Sequence, residues 1–283
     1  MQNIQSLKKH VPMRTLTRTI AVVAVTAFGF VSTTASAATR SHSSVSWYPS
    51  GCGKAGSAHN ETSRRLPPRA IVGYTRIYCD DFRGSQLGNG WFRFSGQPGG
   101  DPGAMFEKSH VTMASGLLQI NTYRDTKGSS WATGGVCKCG LKQTYGAYFV
   151  RSRITGPGDD NDLLLWPSRH IWPPEVDFAE TSGTPTQTGW YLHFGAKNRQ
   201  VSNQLHINLL KWHTWGVLWS AHSMTFTVDG HVWGRVTNPS LIPHTPMTLD
   251  LQEQTFCQIA PMCPTKPVSM LVDWVAEFAP RAH

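Results

Sequence analysis

The chain has 283 residues, with 26 Lys and Arg against 17 Asp and Glu, for a formal charge of +9. Eleven Trp, 26 Gly and 18 Pro point to many short strands and turns with aromatic surfaces, and against a helical bundle. The positive charge is spread thinly, without a Lys/Arg-rich run or a zinc-ligand pattern, which excludes nucleic acid as an expected partner.

The first 37 residues read as a secretory signal peptide. Lys8, Lys9, Arg14 and Arg18 form a basic start, Ile20 to Val31 is a short apolar run, and Ala35-Ser36-Ala37 is a small-residue cleavage site. The run falls short of the ~20 residues a membrane span needs. Removing residues 1–37 removes four positive charges, so the remaining chain carries 9 − 4 = +5. A secreted, extracellular monomer without a membrane span is expected. Residues 38–72 are rich in Ser, Gly, Arg and Pro and read as a linker or partly ordered arm. Residues 73–283 form the expected folded domain.

Within that domain short strand-like runs alternate with turn pairs. Ser115-Gly116 divides two such runs, and Asp229-Gly230 sits between Met224–Val228 and His231-Val232-Trp233. Asp-Gly at that place is a strong two-residue hairpin signal. Ser269 to Phe278 is apolar on both faces, as expected inside a sandwich. Trp215, Trp219 and Trp274 alternate with apolar neighbours and are assigned to the core. The all-β reading rests on these patterns.

Six cysteines in an exported chain imply disulfides. Cys257 and Cys263 bracket a short Pro-containing loop and are the best pair. Cys52 and Cys79 are placed to staple the N-terminal segment to the first strand. Cys137 and Cys139 are left over, because i and i+2 on a regular strand are not at disulfide separation. A Cys-x-Cys metal site lacks a second ligand pair at zinc spacing, so no metal or other cofactor is expected there.

The most informative stretch is Trp166-Pro-Ser-Arg-His-Ile-Trp172-Pro-Pro-Glu175-Val-Asp177-Phe-Ala-Glu180. On a strand Glu175 and Asp177 share one face while Val176 and Phe178 take the other. Glu180, five residues from Glu175, would fall on the wrong face unless a one-residue bulge at Phe178-Ala179 returns it. Three acids would then line one surface, where like charges split the pKa values. One ionised and one protonated carboxyl are what retaining glycoside hydrolysis requires. The plainer meaning of Glu-Val-Asp-Phe is a solvated acidic strand face, but such a face has no need of the tryptophans upstream. Indole faces suit the apolar faces of sugars; Trp166 and Trp172 are candidates either for that stacking or for the core.

Trp172-Pro-Pro-Glu-Val-Asp-Phe-Ala-Glu180 resembles the E-[ILV]-D-x-x-E signature of glycoside hydrolase family 16, in its bulged laminarinase and agarase form, and its wording is similar to actinobacterial members. The resemblance extends over about residues 75–279, through Cys79–Phe82, Ser109–Leu118, Thr133–Val136, Gln143–Gly146, Trp212–Trp219, Thr225–Gly230 and Met270–Val275. It implies a concanavalin A-like β-sandwich jelly roll with a concave substrate cleft. It implies Glu175 as nucleophile, Asp177 as assisting carboxylate and Glu180 as general acid/base. His193 resembles a cleft histidine of the family, with Trp131 on the cleft rim and Gln252 on a strand crossing the cleft as further substrate-binding candidates. The implied activity is hydrolysis of a β-linked polysaccharide by double displacement, on a β-1,3- or mixed-linkage glucan or a galactan. A non-catalytic carbohydrate-binding jelly roll and a cell-wall transglycosylase using the same carboxylates are the alternatives. The family also implies a structural Ca²⁺, for which Asp273 is the candidate ligand.

Overall fold

The computed structural model describes residues 67–99, 103–125, 130–258 and 261–281. Residues 1–66, and with them the signal peptide, most of the arm and Cys52, lie outside the described residues. The described chain contains β1 (Tyr74–Asp80), β2 (Phe92–Arg93), β3 (Val111–Ala114), β4 (Leu117–Arg124), β5 (Trp131–Ala132), β6 (Gly135–Cys137), β7 (Gly146–Ile154) and β8 (Asp160–Pro167). It continues with β9 (Glu175–Thr181), β10 (Gln187–Phe194), β11 (Arg199–His206), β12 (His213–Trp219), β13 (Met224–Val228), β14 (His231–Val236), β15 (Met247–Gln254) and β16 (Val268–Pro280).

These strands form two antiparallel sheets, the jelly-roll sandwich expected. The nine-stranded sheet runs β14-β13-β12-β7-β16-β4-β3, with β1 on β16 and β5 on β4. The seven-stranded sheet runs β11-β10-β9-β8-β15-β6-β2. Ser115 and Gly116, and Asp229 and Gly230, all have positive φ at the two tight hairpins, the backbone a type I′ turn demands. The long β16 is buried along most of its length, because it lies between β7 on one side and β4 and β1 on the other.

The core lies between the sheets. Leu163, Leu165, Val176, Phe178, Leu192, Leu249 and Leu251 meet Leu118, Ile120, Val150, Val217, Phe226 and Val272, all buried. Trp190 of β10 stacks on Phe226 of β13, with ring centroids 4.4 Å apart and planes 7° from parallel. Gly234 is required here, since a Cβ at that position would collide with the Trp190 ring. Trp215, Trp219 and Trp274 are buried as expected; Trp274 packs with Ala147, Phe149 and Phe278 in a second small cluster.

Cys257 and Cys263 form a disulfide, with Cα atoms 4.3 Å apart. Cys79 is also disulfide-bonded. Cys137 and Cys139 overturn the expectation: they are bonded to each other, with Cα atoms 5.1 Å apart. The expectation assumed a regular strand, where that separation would be about 6.7 Å. β6 ends at Cys137 and the chain turns at once, which shortens the span to bonding range.

Three buried carboxyls sit between the sheets. Burial pushes Glu277 up to about 8, with Lys138 and Gln143 pulling it back down. Burial pushes Asp159 up to about 6. Its neighbour Glu253 is also raised, by burial and by the Asp159 charge, while Thr122 Oγ1 donates to Glu253 Oε2 at 2.7 Å. Each native pKa exceeds its unfolded value, so the native state binds more protons across the interval and stability falls as pH rises through it. Asp229 shifts the other way, held down mainly by its His213 hydrogen bond against the cost of burial; its contribution is complete above the ordinary carboxylate range. The melting temperature is therefore expected to drop by roughly 5–10 °C between pH 5 and pH 8. Glu277→Gln should flatten the part of that slope between pH 6 and pH 8. A wild-type melting temperature that rises over this range, measured by calorimetry, would contradict the assignment.

Candidate active site

Strand β9 carries the three acids, and its register explains how they share a face. Against β10, Asp177 pairs with Tyr191 and Glu180 with Gly189, so three steps on β9 match two on β10. Against β8, Asp177 pairs with Leu164 while Ala179 pairs with Leu163, which leaves Phe178 as the extra residue. The bulge falls where the spacing of the acids requires it. Val176 and Phe178 are fully buried in the core, so the apolar face fixes the strand and the acids project from the other side.

Cross-strand pairing extends that acidic face across the seven-stranded sheet. One row runs Ser202, Tyr191, Asp177, Leu164, Asp250, Cys137, Phe92. The next runs Gln204, Gly189, Glu180, Asp162, Gln252, Gly135. Directly opposed residues point to the same side, so the face is polar and rich in carboxylates.

The acids divide into two groups. Glu175, Asp177 and His193 each place a ligand-type atom within 4.8 Å of the others, and so do Asp160, Asp162 and Glu180. Glu175 and Asp177 are buried, while Glu180 is half-buried. Trp172 Nε1 donates to Glu175 Oε2 at 2.7 Å, and the Trp172 ring lies 5.9 Å from that of His193. His193 Nε2 is 3.6 Å from Asp177 Oδ2, and its Nδ1 is 2.9 Å from Asn198 Oδ1. The ring is thus held between the Asn198 side chain on its Nδ1 side and the Asp177 carboxylate on its Nε2 side.

Two further groups respond electrically to the acids. Tyr191 is pushed up to about 12, first by burial and then by the Glu180 charge, with Asp160 and Asp177 adding to it and the Gln204 hydrogen bond opposing. It therefore stays a neutral phenol. Gln204 Nε2 donates to the Tyr191 hydroxyl. Asp250 is raised by burial, lowered by the Thr248 hydroxyl that donates to it at 3.0 Å, and raised again by Glu175.

Most residues expected at the site converge there. Trp166 is half-buried on the acid-bearing face of β8, Trp172 touches Glu175, His193 faces Asp177, and Gln252 donates to Asp162 Oδ2 at 3.0 Å. Trp131 does not join them. It lies on β5, paired with β4 of the other sheet, buried beneath the Arg124 guanidinium 4.6 Å from its ring. Asp160, Asp162, Tyr191 and Asp250 were not anticipated, although the alternation Asp160, Asp162, Leu164, Trp166 carried the signal for one face. Asp273 is buried on β16, and among the described residues it joins no cluster of three ligand-bearing side chains. One carboxylate is far from the six to eight oxygens Ca²⁺ takes, so no calcium enters the chemistry below.

A family model described as glycosyl hydrolases family 16 matches residues 102–254, more than half of the chain. The chain belongs to glycosyl hydrolase family 16. Its fold is similar to that of the laminarinase from Rhodothermus marinus, at 18% identity over 74% of this chain and 98% of that one, with a TM-score of 0.66. It is similar too to the endo-β-1,3-glucanase from Pyrococcus furiosus, at 18% identity over 74% and 96%, with a TM-score of 0.63. A family 16 protein of the mixed-linkage glucan locus of Bacteroides ovatus, bound to an oligosaccharide product, matches at 17% identity over 71% and 99%, with a TM-score of 0.60. At these identities the likeness is one of fold. No curated protein sequence matches the chain.

The Trp172 indole N–H gives a direct prediction. Trp172→Phe keeps an aromatic ring but removes the donor to the Glu175 carboxylate. A hydrogen bond to a charged group contributes ~1.5–3 kcal/mol, so kcat/KM on any glycan the protein cleaves should fall by roughly 10- to 100-fold. Unchanged kcat/KM would show that this bond does not serve Glu175.

Proposed function

We propose that this family 16 protein is a secreted, retaining endo-glycosidase that hydrolyses a β-linked polysaccharide, with a β-1,3- or mixed-linkage glucan as the first candidate and a galactan as the second. The observation that carries the reading is the placement of Glu175, Asp177 and Glu180 on one face of β9 by the bulge at Phe178. The choice of a glucan is supported by the laminarinase and endo-β-1,3-glucanase of similar fold. Export is supported by the pattern of residues 1–37. Among the described residues no helix is long and apolar enough to cross a membrane.

In the first step the Glu175 carboxylate attacks the anomeric carbon and forms a glycosyl ester. The bond to the leaving oxygen breaks, and Glu180 gives that oxygen its proton. In the second step Glu180, now ionised, takes a proton from water. The water oxygen attacks the anomeric carbon, the ester breaks, and Glu175 is restored with the sugar in its original configuration. Trp172 holds one Glu175 oxygen and so fixes the orientation of the attacking carboxyl. Asp177, beside His193 and between the two Glu on the strand, adds negative charge that opposes ionisation of Glu180 in the resting enzyme.

Reducing-sugar release should be measured on laminarin, lichenan, agarose, carrageenan and arabinogalactan, with laminarin or lichenan expected to react. Glu175→Ala and Glu180→Ala should each lose several orders of magnitude in rate, because each lacks an obligatory step. Azide should rescue Glu175→Ala with a glycosyl azide of inverted configuration. Glu180→Ala should keep activity on aryl glycosides with good leaving groups, which need little protonation. Full activity in either alanine variant would overturn the assignment, and growth of longer oligomers in place of cleavage would assign transglycosylation.

A further inference from the structure

The family motif does not account for the carboxylates on β8 that face Glu180. Asp162 is its directly paired neighbour, and oxygens of Asp160, Asp162 and Glu180 lie within 4.8 Å of one another. Asp162 is buried, and Gln252, reaching across from β15, donates its amide to Asp162 Oδ2 at 3.0 Å. A donor aimed at a carboxylate favours its charged form. The amide on Asp162 thus favours its charged form beside Glu180, the group read as carrying the proton.

We propose that Asp162 is a positioning residue for the acid step: its fixed negative charge holds the proton on Glu180. This rests on the reading of Glu180 as general acid/base. Ionising Glu180 would place a second negative charge beside Asp162 in a partly desolvated site, and that repulsion raises the pKa of the group free to respond. The other groups facing Glu180 act around this pair. Asp160 adds negative charge from the same strand. Tyr191 leans over Gly189, the residue opposite Glu180, since a Cβ on Gly189 would meet the phenol oxygen at 2.8 Å. From β9 itself Asp177 contributes, with His193 beside it. Among these carboxylates Asp162 is the direct cross-strand partner of Glu180 and has a dedicated amide donor from a third strand. Gln252, expected as a sugar contact, acts here as the brace.

The test is the pH profile of kcat/KM for the full-length enzyme on its polysaccharide and on an aryl glycoside with a good leaving group. In Asp162→Asn the alkaline limb should move to lower pH by at least half a unit, because Glu180 loses its proton more easily. The rate loss should be much larger on the polysaccharide than on the aryl glycoside. Asp162→Glu, which keeps the charge, should restore the wild-type limb. If Asp162→Asn does not fold, Asp162→Ser is expected to shift the limb in the same direction. A limb that stays in place in the folded variants, or a loss equal on both substrates, would overturn the proposal. So would a limb that moves on adding Ca²⁺ or EDTA to the wild type, since the trio would then be holding a cation. Failure of the underlying reading looks different: Glu180→Ala would itself retain the wild-type alkaline limb.

Discussion

One extra residue in one strand brings the three acids of β9 to a single face. β9 is pinned by Val176 and Phe178 in the core, and without the bulge at Phe178 its period of two would turn Glu180 into the apolar layer. The bulge lies against Trp190, whose ring is clamped on Phe226 from the opposite sheet. The aromatic stack between the sheets therefore braces the partner strand at the point where β9 departs from regular pairing.

The acid-bearing face is costly to build, and its neighbours reflect that. Carboxylates at Asp160, Asp162, Glu175, Asp177, Glu180 and Asp250 crowd three adjacent strands, where like charges oppose one another. The protein answers with aimed donors: the Trp172 indole on Glu175, the Gln252 amide on Asp162 and the Thr248 hydroxyl on Asp250. Tyr191 stays neutral among these charges. Neutral donors relieve repulsion without cancelling the negative potential, which suits the proposed pairing of one protonated acid with one ionised.

Much of this was legible in the sequence because strand faces are written locally. The five-residue spacing of Glu175 and Glu180 required the bulge, Ser115-Gly116 and Asp229-Gly230 marked hairpins, and the two-sided apolar run near the C-terminus marked a central strand. Legibility failed where the answer depended on register between distant segments. Gln252 meets Asp162 across 90 positions of sequence, and alternation tells which face a residue takes but not which neighbour it meets. Trp131 stands apart because the chain changes sheets between Ala132 and Gly135, so proximity to Thr133-Gly134-Gly135 did not put it on the acid-bearing sheet. Cys137 and Cys139 misled because strand spacing was assumed past the point where the strand ends.

The central proposal is that Glu175 and Glu180, brought to one face of β9, act as nucleophile and acid/base of a retaining enzyme. Proton NMR of the earliest product from laminarin or lichenan, recorded before mutarotation, tests it directly. The account predicts that the new reducing end appears first as the β-anomer and only later equilibrates. First appearance of the α-anomer would mean direct displacement by water, which needs carboxyls ~6.5–9.5 Å apart, and would contradict the roles given to Glu175 and Glu180.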